Sequence, residues 1–288
     1  MTGLSLPQII HKAGKGPDHA QDLLRDEADT AFEAVVGNDL TPLQLGGLLI
    51  ALRTKGETGV EIASYARALR GQTTAAFAWP CYAGKAKTFR AVPAAAILLR
   101  RLGVEPLIHV YDDAPGRHGT GALLDALAVP HLKVREFHPR LYELLELRKE
   151  LGVRSITNVA ARLAVRAPRH FIAISHAPYF EKYRDALAEL GEQGLVVMGS
   201  EGETEAPYHG VIKSADAVWR PEDFGLRRPR IEEIPAGSVE EEAALSRRVL
   251  DGEDLPHRTV VVMTAAAALV AATGITFGDA VARVLRPS

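Results

Sequence analysis

The sequence predicts an α/β fold, with a small helical domain over residues 1–72 and a larger α/β domain with a mostly parallel central sheet over residues 73–288. Helical patterning covers the first part of the chain, whereas short β-like runs alternate with helical segments from about residue 73. Such alternation favours a parallel sheet covered by helices. The composition, 47% hydrophobic and 24% charged, is typical of a globular chain and excludes disorder, collagen and coiled coil.

The N-terminal domain carries clear helix boundaries. After amphipathic stretches at residues 5–15 and 20–36, Thr41 can cap a helix that has Pro42 at its first position and ends at Gly56. Thr58 can cap the next helix, which ends near residue 71. Helical elements from the middle of the chain can also join this domain, so its sequence need not be continuous.

The second domain combines short strands and longer helices. The predicted strands are residues 106–110, 132–134, 171–175, 195–198 and 210–213. The predicted helices are residues 92–102, 121–127, 141–151, 155–165, 181–190, 239–250 and 259–272. The last belongs to an uncharged window over residues 259–278, which is rich in alanine and is expected to be a buried helix rather than a membrane span.

Charge is unevenly distributed along the chain. The net charge is −2, yet residues 133–169 contain nine Lys or Arg and four Glu, and residues 155–169 contain no acidic residue. Arg154, Asn158, Arg162 and Arg166 recur at a spacing of four. On one helix they would form a stripe with neighbours about 6 Å apart, comparable to the phosphate spacing of a nucleic acid strand. The alternative is an ordinary charged surface helix. The lone Cys81 and the N-terminal sequence predict a cytoplasmic protein.

Four stretches of sequence resemble the anthranilate phosphoribosyltransferase family. They are residues 40–70 (LTPLQLGGLLIALRTKGETGVEIASYARALR), 148–158 (RKELGVRSITN), 194–205 (GLVVMGSEGETE) and 254–269 (DLPHRTVVVMTAAAAL). The resemblance implies homodimers formed through the helical domain and an interdomain cleft that holds phosphoribosyl pyrophosphate, Mg²⁺ and an aromatic amine acceptor. In that chemistry, backbone amides and metal neutralise the phosphates while pyrophosphate leaves the sugar carbon.

The family's motifs for the donor and the metal are altered in this chain. Its glycine-rich phosphate loop is replaced by WPCYAGKAKTF at residues 79–89, where Tyr82 is bulky and Gly84 is the single glycine. Such a loop presents fewer backbone N–H groups to a pyrophosphate. Lys85 and Lys87, with Arg90, could hold phosphate by charge, or the loop could be a surface loop with solvated lysines.

The following motifs are altered as well. The family's K-H-G-N segment keeps only its histidine, His109, for which a structural role is expected. Gly116, Gly119 and Gly121, with Thr120, could form an anion site at a helix start, although a plain loop is the alternative. The family's Asp-Glu metal pair reads Thr204-Glu205, so Glu205 remains a candidate Mg²⁺ ligand; we expect instead a solvated acidic loop with Glu201 and Glu203.

The pattern is most similar to the YbiB-type paralogues of this family, which bind nucleic acid, because WPCYAGK, MGSEGETEAP and LGVRSITNVAARL all match them. The resemblance implies a protein with degraded donor and metal motifs, no assigned catalytic residue and no required cofactor, that binds nucleic acid without strong sequence preference. The predicted nucleic-acid-binding residues are Arg148, Lys149, Arg154, Asn158, Arg162 and Arg166. The residues predicted to remain from the donor site are Tyr82, Gly84, Lys85, Lys87 and His109.

Two alternatives stay open. The first is an active phosphoribosyltransferase that uses phosphoribosyl pyrophosphate and an acceptor other than anthranilate. Lys85 and Lys87 would then hold the pyrophosphate, Glu205 the Mg²⁺, and Arg148 with Asn158 the acceptor. The second is a scaffold whose dimer surface is its function.

Overall fold

The computed structural model describes residues 3–16 and 18–286. In chain order the helices are α1 (Leu6–Ala13), α2 (Arg25–Gly37), α3 (Pro42–Lys55), α4 (Gly59–Leu69), α5 (Val92–Arg101), α6 (Gly121–Ala126), α7 (Val134–Phe137), α8 (Pro139–Leu151), α9 (Thr157–Ala160), α10 (Tyr179–Leu190), α11 (Val239–Leu250), α12 (Pro256–Thr273) and α13 (Phe277–Leu285). The strands are β1 (Ala78–Cys81), β2 (Leu107–Val110), β3 (His131–Lys133), β4 (Arg169–Ile174), β5 (Gln193–Met198), β6 (Ile212–Lys213) and β7 (Val218–Trp219).

The chain divides into two compact units. The helical unit contains the chain up to Thr74 together with Val134–Arg166 and Glu181–Glu192. The α/β unit contains Ala75–Lys133, Ala167–Phe180 and the chain from Gln193 onward. The sequence-based division at residues 72 and 73 assigns both middle segments to the larger domain, whereas these compact units place them with the N-terminal helices.

The helical unit is built around the packing of α2 on α4. Phe32 of α2 stacks on Tyr65 of α4 with ring centroids 4.5 Å apart, and the Tyr65 hydroxyl lies 3.0 Å from that of Thr157. Burial strongly raises the pKa of Tyr65, so this phenol stays neutral. The predicted caps are present, since Thr41 and Thr58 each accept a hydrogen bond from the backbone N–H three residues later.

The α/β unit contains a five-stranded parallel sheet in the order β3-β2-β1-β4-β5. Trp79 of β1 meets Phe171 of β4 edge to face, with ring centroids 5.5 Å apart, in the core of this unit. Helix α12 is long and apolar enough to span a membrane, but most of its surface is buried against α5, α13, β4 and β5. It is therefore a core helix, as its alanine content predicts.

The structure differs from the sequence-based assignments at several elements, of which three have a clear cause. Strand β1 contains Pro80 and is only four residues long, so no periodic signal identified it. The predicted strand at 210–213 lies outside the main sheet, because β6 pairs antiparallel with β7. The helix predicted over residues 155–165 is wrong: only α9 is α-helical, and a 3₁₀ turn over Ala161–Leu163 follows it.

Candidate functional site

The loops at the carboxyl ends of the parallel strands form the first candidate site. In open parallel sheets, ligands bind beyond these ends at the point where the strand order reverses. Here the order reverses between β1 and β4. The loop after β1, residues 82–89, and the loop after β5, residues 199–206, belong to the same unit and share a network of hydrogen bonds. We call them the β1 loop and the β5 loop.

Glu201 of the β5 loop accepts hydrogen bonds from three successive backbone N–H groups of the β1 loop. The N–H groups of Ala86, Lys87 and Thr88 lie 2.9, 3.2 and 3.2 Å from its carboxylate oxygens, and the Thr88 hydroxyl lies at 3.1 Å. Arg117 donates to the backbone carbonyl of Glu201 at 2.8 Å. The β1 loop therefore does form a nest of N–H groups, but a carboxylate of the same chain occupies it.

Glu203 lies deeper, with no exposed surface. Its carboxylate accepts the backbone N–H of Gly84 at 2.7 Å and that of Thr204 at 3.0 Å, and the Thr120 hydroxyl lies at 3.4 Å. Gly84 has a φ of +60°, and a Cβ there would lie 2.8 Å from the His118 carbonyl oxygen. Glycine is required at this point because the loop is both left-handed and tightly packed.

Glu205 is also fully buried and is paired with Lys85, which is 1% exposed. The Lys85 ammonium donates to the Glu205 carboxylate and to the Phe89 carbonyl, the latter at 2.5 Å. The second oxygen of Glu205 accepts the N–H groups of Ala91 and Val92 at 2.7 and 3.1 Å, at the start of α5. We refer to Glu201, Glu203 and Glu205 as the carboxylate cluster.

The pKa values of Glu205 and Glu201 are shifted in opposite directions, although burial acts to raise both. Burial raises the pKa of Glu205, and the neighbouring Lys85 ammonium opposes that change only in part. Burial would also raise the pKa of Glu201, but the hydrogen bonds from Ala86, Thr88 and Lys87 lower it below the ordinary value. Glu201 is therefore firmly ionised within its nest.

The carboxylate cluster does not fit the Mg²⁺ that the family resemblance implies. Each carboxylate already accepts hydrogen bonds from its own chain, and Glu205 faces an ammonium group where a metal would need a free oxygen. Within residues 3–16 and 18–286, no group of three His, Cys, Asp or Glu is arranged to hold a metal ion. The expected solvated acidic loop is wrong as well, because Glu203 and Glu205 are buried.

The remaining predicted donor residues are buried too, except one. His109 has no exposed surface, and its Nδ1 lies 2.8 Å from the Tyr82 hydroxyl, which is a structural arrangement. The alternative of a surface loop with solvated lysines is wrong for Lys85, which is buried. Lys87, in contrast, is exposed. At the start of α6, the N–H of Gly121 bonds to the side chain of Asp112 at 2.9 Å rather than remaining available to an anion.

The second candidate site is the basic segment, residues 148–166 of the helical unit. Helix α8 ends at Leu151, followed by Gly152 at a φ of +71°. Beyond it, the Asn158 side chain accepts the backbone N–H of Ser155 at 3.0 Å and starts the short α9. The four residues at a spacing of four therefore do not share one helix, and the predicted stripe with phosphate spacing is wrong.

The members of the basic segment differ in their exposure to solvent. Arg162 is only 9% exposed, because the residues around it face the core of the helical unit. Arg148, Arg154 and Asn158 are half-buried. Lys149 and Arg166 are exposed. Sequence reasoning missed Arg117 and the pairing of Arg90 with Glu242, because both arginines bond to groups far away in the sequence.

Comparison with protein families identifies both parts of the chain. Residues 7–73 match the helical bundle domain of a glycosyl transferase family, and residues 120–286 match the α/β domain of the same family. Anthranilate phosphoribosyltransferase from Herpetosiphon aurantiacus is 31% identical over 299 residues, which cover 90% of this chain and 88% of that protein.

Solved structures share the fold. Anthranilate phosphoribosyltransferase from Thermus thermophilus matches with a TM-score of 0.82 and 27% identity, covering 96% of this chain and 93% of that one. The enzyme from Saccharomyces cerevisiae, in complex with phosphoribosyl pyrophosphate and Mg, matches in fold with a TM-score of 0.76 and 17% identity over 97% of this chain and 92% of that one. The chain described here belongs to this glycosyl transferase family and has the fold of the anthranilate phosphoribosyltransferases.

Proposed function

We propose that this protein is a family member that does not transfer phosphoribosyl groups and instead binds nucleic acid, without strong sequence preference, in the manner expected of YbiB-type paralogues. The observation that carries the proposal is the bonding of the carboxylate cluster to the β1 loop. A diphosphate would have to displace the Glu201 carboxylate from its three N–H groups and would face the negative charge of that group. If the donor does not bind, an anionic partner other than phosphoribosyl pyrophosphate is the better candidate for the ligand of this protein.

The basic segment supports nucleic acid as that partner. It carries a local excess of positive charge in a chain whose net charge is −2. Lys149 and Arg166 are exposed near its two ends, and Arg148 and Arg154 are half-buried. Contacts of this kind reach phosphates and carry little base information, which accounts for the expected sequence tolerance. Arg162 supports the segment from within, and we assign it no direct contact.

A homodimer is part of the proposal. Helix α3 exposes Leu43 and Ile50, with 85% and 39% of their surface accessible, and a pocket of about 390 Å³ lies between α3 and α1. Large apolar side chains exposed on one helix favour burial against another protein surface. A dimer would present two basic segments and raise the avidity for one strand. The double substitution Leu43→Glu with Ile50→Glu is expected to give monomers in size-exclusion chromatography with light scattering.

We also place the protein in the cytoplasm.

Fluorescence anisotropy with labelled DNA and RNA oligonucleotides tests the partner. The double variant Lys149→Ala with Arg166→Ala should bind more weakly by about tenfold, and the slope of log affinity against log salt should fall by about 1 to 2. The matched control is Arg184→Ala with Lys213→Ala, which removes the same charge from exposed positions elsewhere. Equal affinity and equal salt slope in both double variants would remove the proposal.

Calorimetric titration with phosphoribosyl pyrophosphate and Mg²⁺ tests the transferase alternative. We expect no heat of binding at millimolar ligand, because the N–H groups of the β1 loop are already bonded. A saturable heat that disappears in Lys87→Ala would restore the transferase, with Lys87 as the exposed lysine able to reach a phosphate. The outcome is independent of the oligonucleotide measurement.

A further inference from the structure

Lys85 is a buried cation next to buried carboxylate groups. Its side chain is 2% exposed, and the Glu205 side chain that it contacts is 1% exposed. Glu203 lies close enough to oppose the ionisation of Glu205. Two adjacent buried carboxylates are costly in a low-dielectric interior unless a positive charge offsets them. The structure gives Glu205 a lysine ammonium as that charge.

The ammonium is held as a metal ion would be, by oxygen atoms. It contacts a carboxylate oxygen of Glu205 and the backbone carbonyl oxygen of Phe89. Carboxylate and carbonyl oxygens are the ligands that Mg²⁺ and Mn²⁺ take, completed by water. The other oxygen of Glu205 binds the N–H groups of Ala91 and Val92, so the carboxylate is fixed against the start of α5.

We infer that the Lys85 ammonium is a resident cation that stands in place of a divalent metal between the β1 and β5 loops, and that these loops are therefore folded without metal. The family resemblance implies Mg²⁺ at the Asp-Glu pair that reads Thr204-Glu205 here. The lysine supplies a positive charge from the same chain to the one remaining carboxylate of that pair. The inference concerns the same loops as the proposed function, but it is tested by metal binding, whereas the proposed function is tested by binding of the donor and of nucleic acid.

Removal of the ammonium should create a metal site. In Lys85→Ala, the oxygens of Glu205 and Phe89 lose their cation, and the deleted side chain leaves room for an ion with its waters. The matched control is Lys87→Ala, which removes the exposed lysine two positions away. Both variants and the wild-type chain are titrated with Mn²⁺ by calorimetry, and their Tm values are measured in EDTA and in millimolar Mn²⁺.

The expected result distinguishes the two lysines. Wild-type chain and Lys87→Ala should bind no Mn²⁺ and should keep the same Tm in Mn²⁺ and in EDTA. Lys85→Ala in EDTA should melt at least about 6 °C lower, because a buried carboxylate loses its partner. It should bind one Mn²⁺ and regain much of that Tm. Stabilisation of the wild-type chain by Mn²⁺, or failure of folded Lys85→Ala to bind Mn²⁺, would overturn the inference.

A second variant decides the case in which Lys85→Ala does not fold. Lys85→Ala combined with Glu205→Gln removes both charges of the pair. If charge compensation is the role of Lys85, this double variant folds and does not bind Mn²⁺. Where Lys85→Ala does fold, the Tm of the double variant should be higher than that of Lys85→Ala. Failure of the double variant to fold would show that Lys85 acts through packing, and the resident-cation inference would be wrong.

Discussion

The β1 and β5 loops of the α/β unit and the basic segment of the helical unit are equally rich in charge but differ in where the charges point. In the loops, Glu201, Glu203 and Glu205 turn inward and accept hydrogen bonds from the backbone. In the basic segment, Lys149 and Arg166 stay at the surface. The difference shows that a charged motif is available to a ligand only if the backbone around it does not already bind it.

The largest expected effect tests that difference with one glutamate of the loops and one glutamate that pairs with the basic segment. Glu205→Ala should lower the free energy of unfolding by about 3 to 5 kcal/mol, because it leaves Lys85 buried without its carboxylate. Glu146→Ala removes the surface partner of Lys149, which lies 2.6 Å away, and should cost about 0.5 kcal/mol or less. Urea denaturation of the two variants measures both values. Similar losses would mean that the buried pair has no special role.

A pair of glycines sharpens the comparison by testing how tightly the β1 loop is held. Gly84→Ala should cost about 2 to 3 kcal/mol, because φ is +60° and the new Cβ would meet the His118 carbonyl. Gly116→Ala has a similar φ of +68° but open space around it, and should cost only about 1 kcal/mol. Thermal unfolding of both variants gives the difference. Equal costs would contradict a packed β1 loop.

The smallest effect concerns a histidine of the helical unit that is also bonded to the backbone. His138 caps α8 by accepting the N–H of Leu141 at 3.1 Å, and its other ring nitrogen lies 2.7 Å from the Leu69 carbonyl oxygen. Burial lowers the pKa of His138, and the bond to Leu69 opposes that change only in part. Since the folded pKa lies below the unfolded value, this contribution to stability is present above pH 6.5 and is lost as the pH falls through the folded pKa.

The measurement for His138 is the pH dependence of urea unfolding. The wild-type chain should lose up to about 1 kcal/mol from this group on acidification from neutral pH, roughly the contribution of one helix cap. His138→Asn keeps a capping acceptor without a titrating ring, so its stability should vary less over the same range. A variant curve parallel to that of the wild-type chain would show that His138 does not titrate in this way.

Local signals predicted much of the fold. Thr41 and Thr58 each preceded a helical pattern, and the structure confirms both caps because such hydrogen bonds span only three residues. The helix expected from the spacing of Arg154 and Arg162 failed for a physical reason. Most residues between them are buried in the helical unit, and packing there overrides the local helical spacing, so that only α9 and a short 3₁₀ turn form.

The candidate site was less predictable, since its contacts are remote in sequence. Lys85 and Glu205 are 120 residues apart, and no periodicity or motif relates them. The resemblance to the family predicts that both loops are altered, but it could not indicate that the acidic residues of one loop would bond to the amides of the other. That information exists only in the packed sheet, where the β1 and β5 loops share one edge.

Crystals soaked with phosphoribosyl pyrophosphate and Mg²⁺ would test most directly the claim that the carboxylate cluster occupies the place of the donor. We expect Glu201 to remain on the N–H groups of Ala86, Lys87 and Thr88, with Lys85 still on Glu205 and no ordered ligand at these loops. An ordered diphosphate on those three N–H groups, with Glu201 displaced and a metal ion at Glu205, would contradict it.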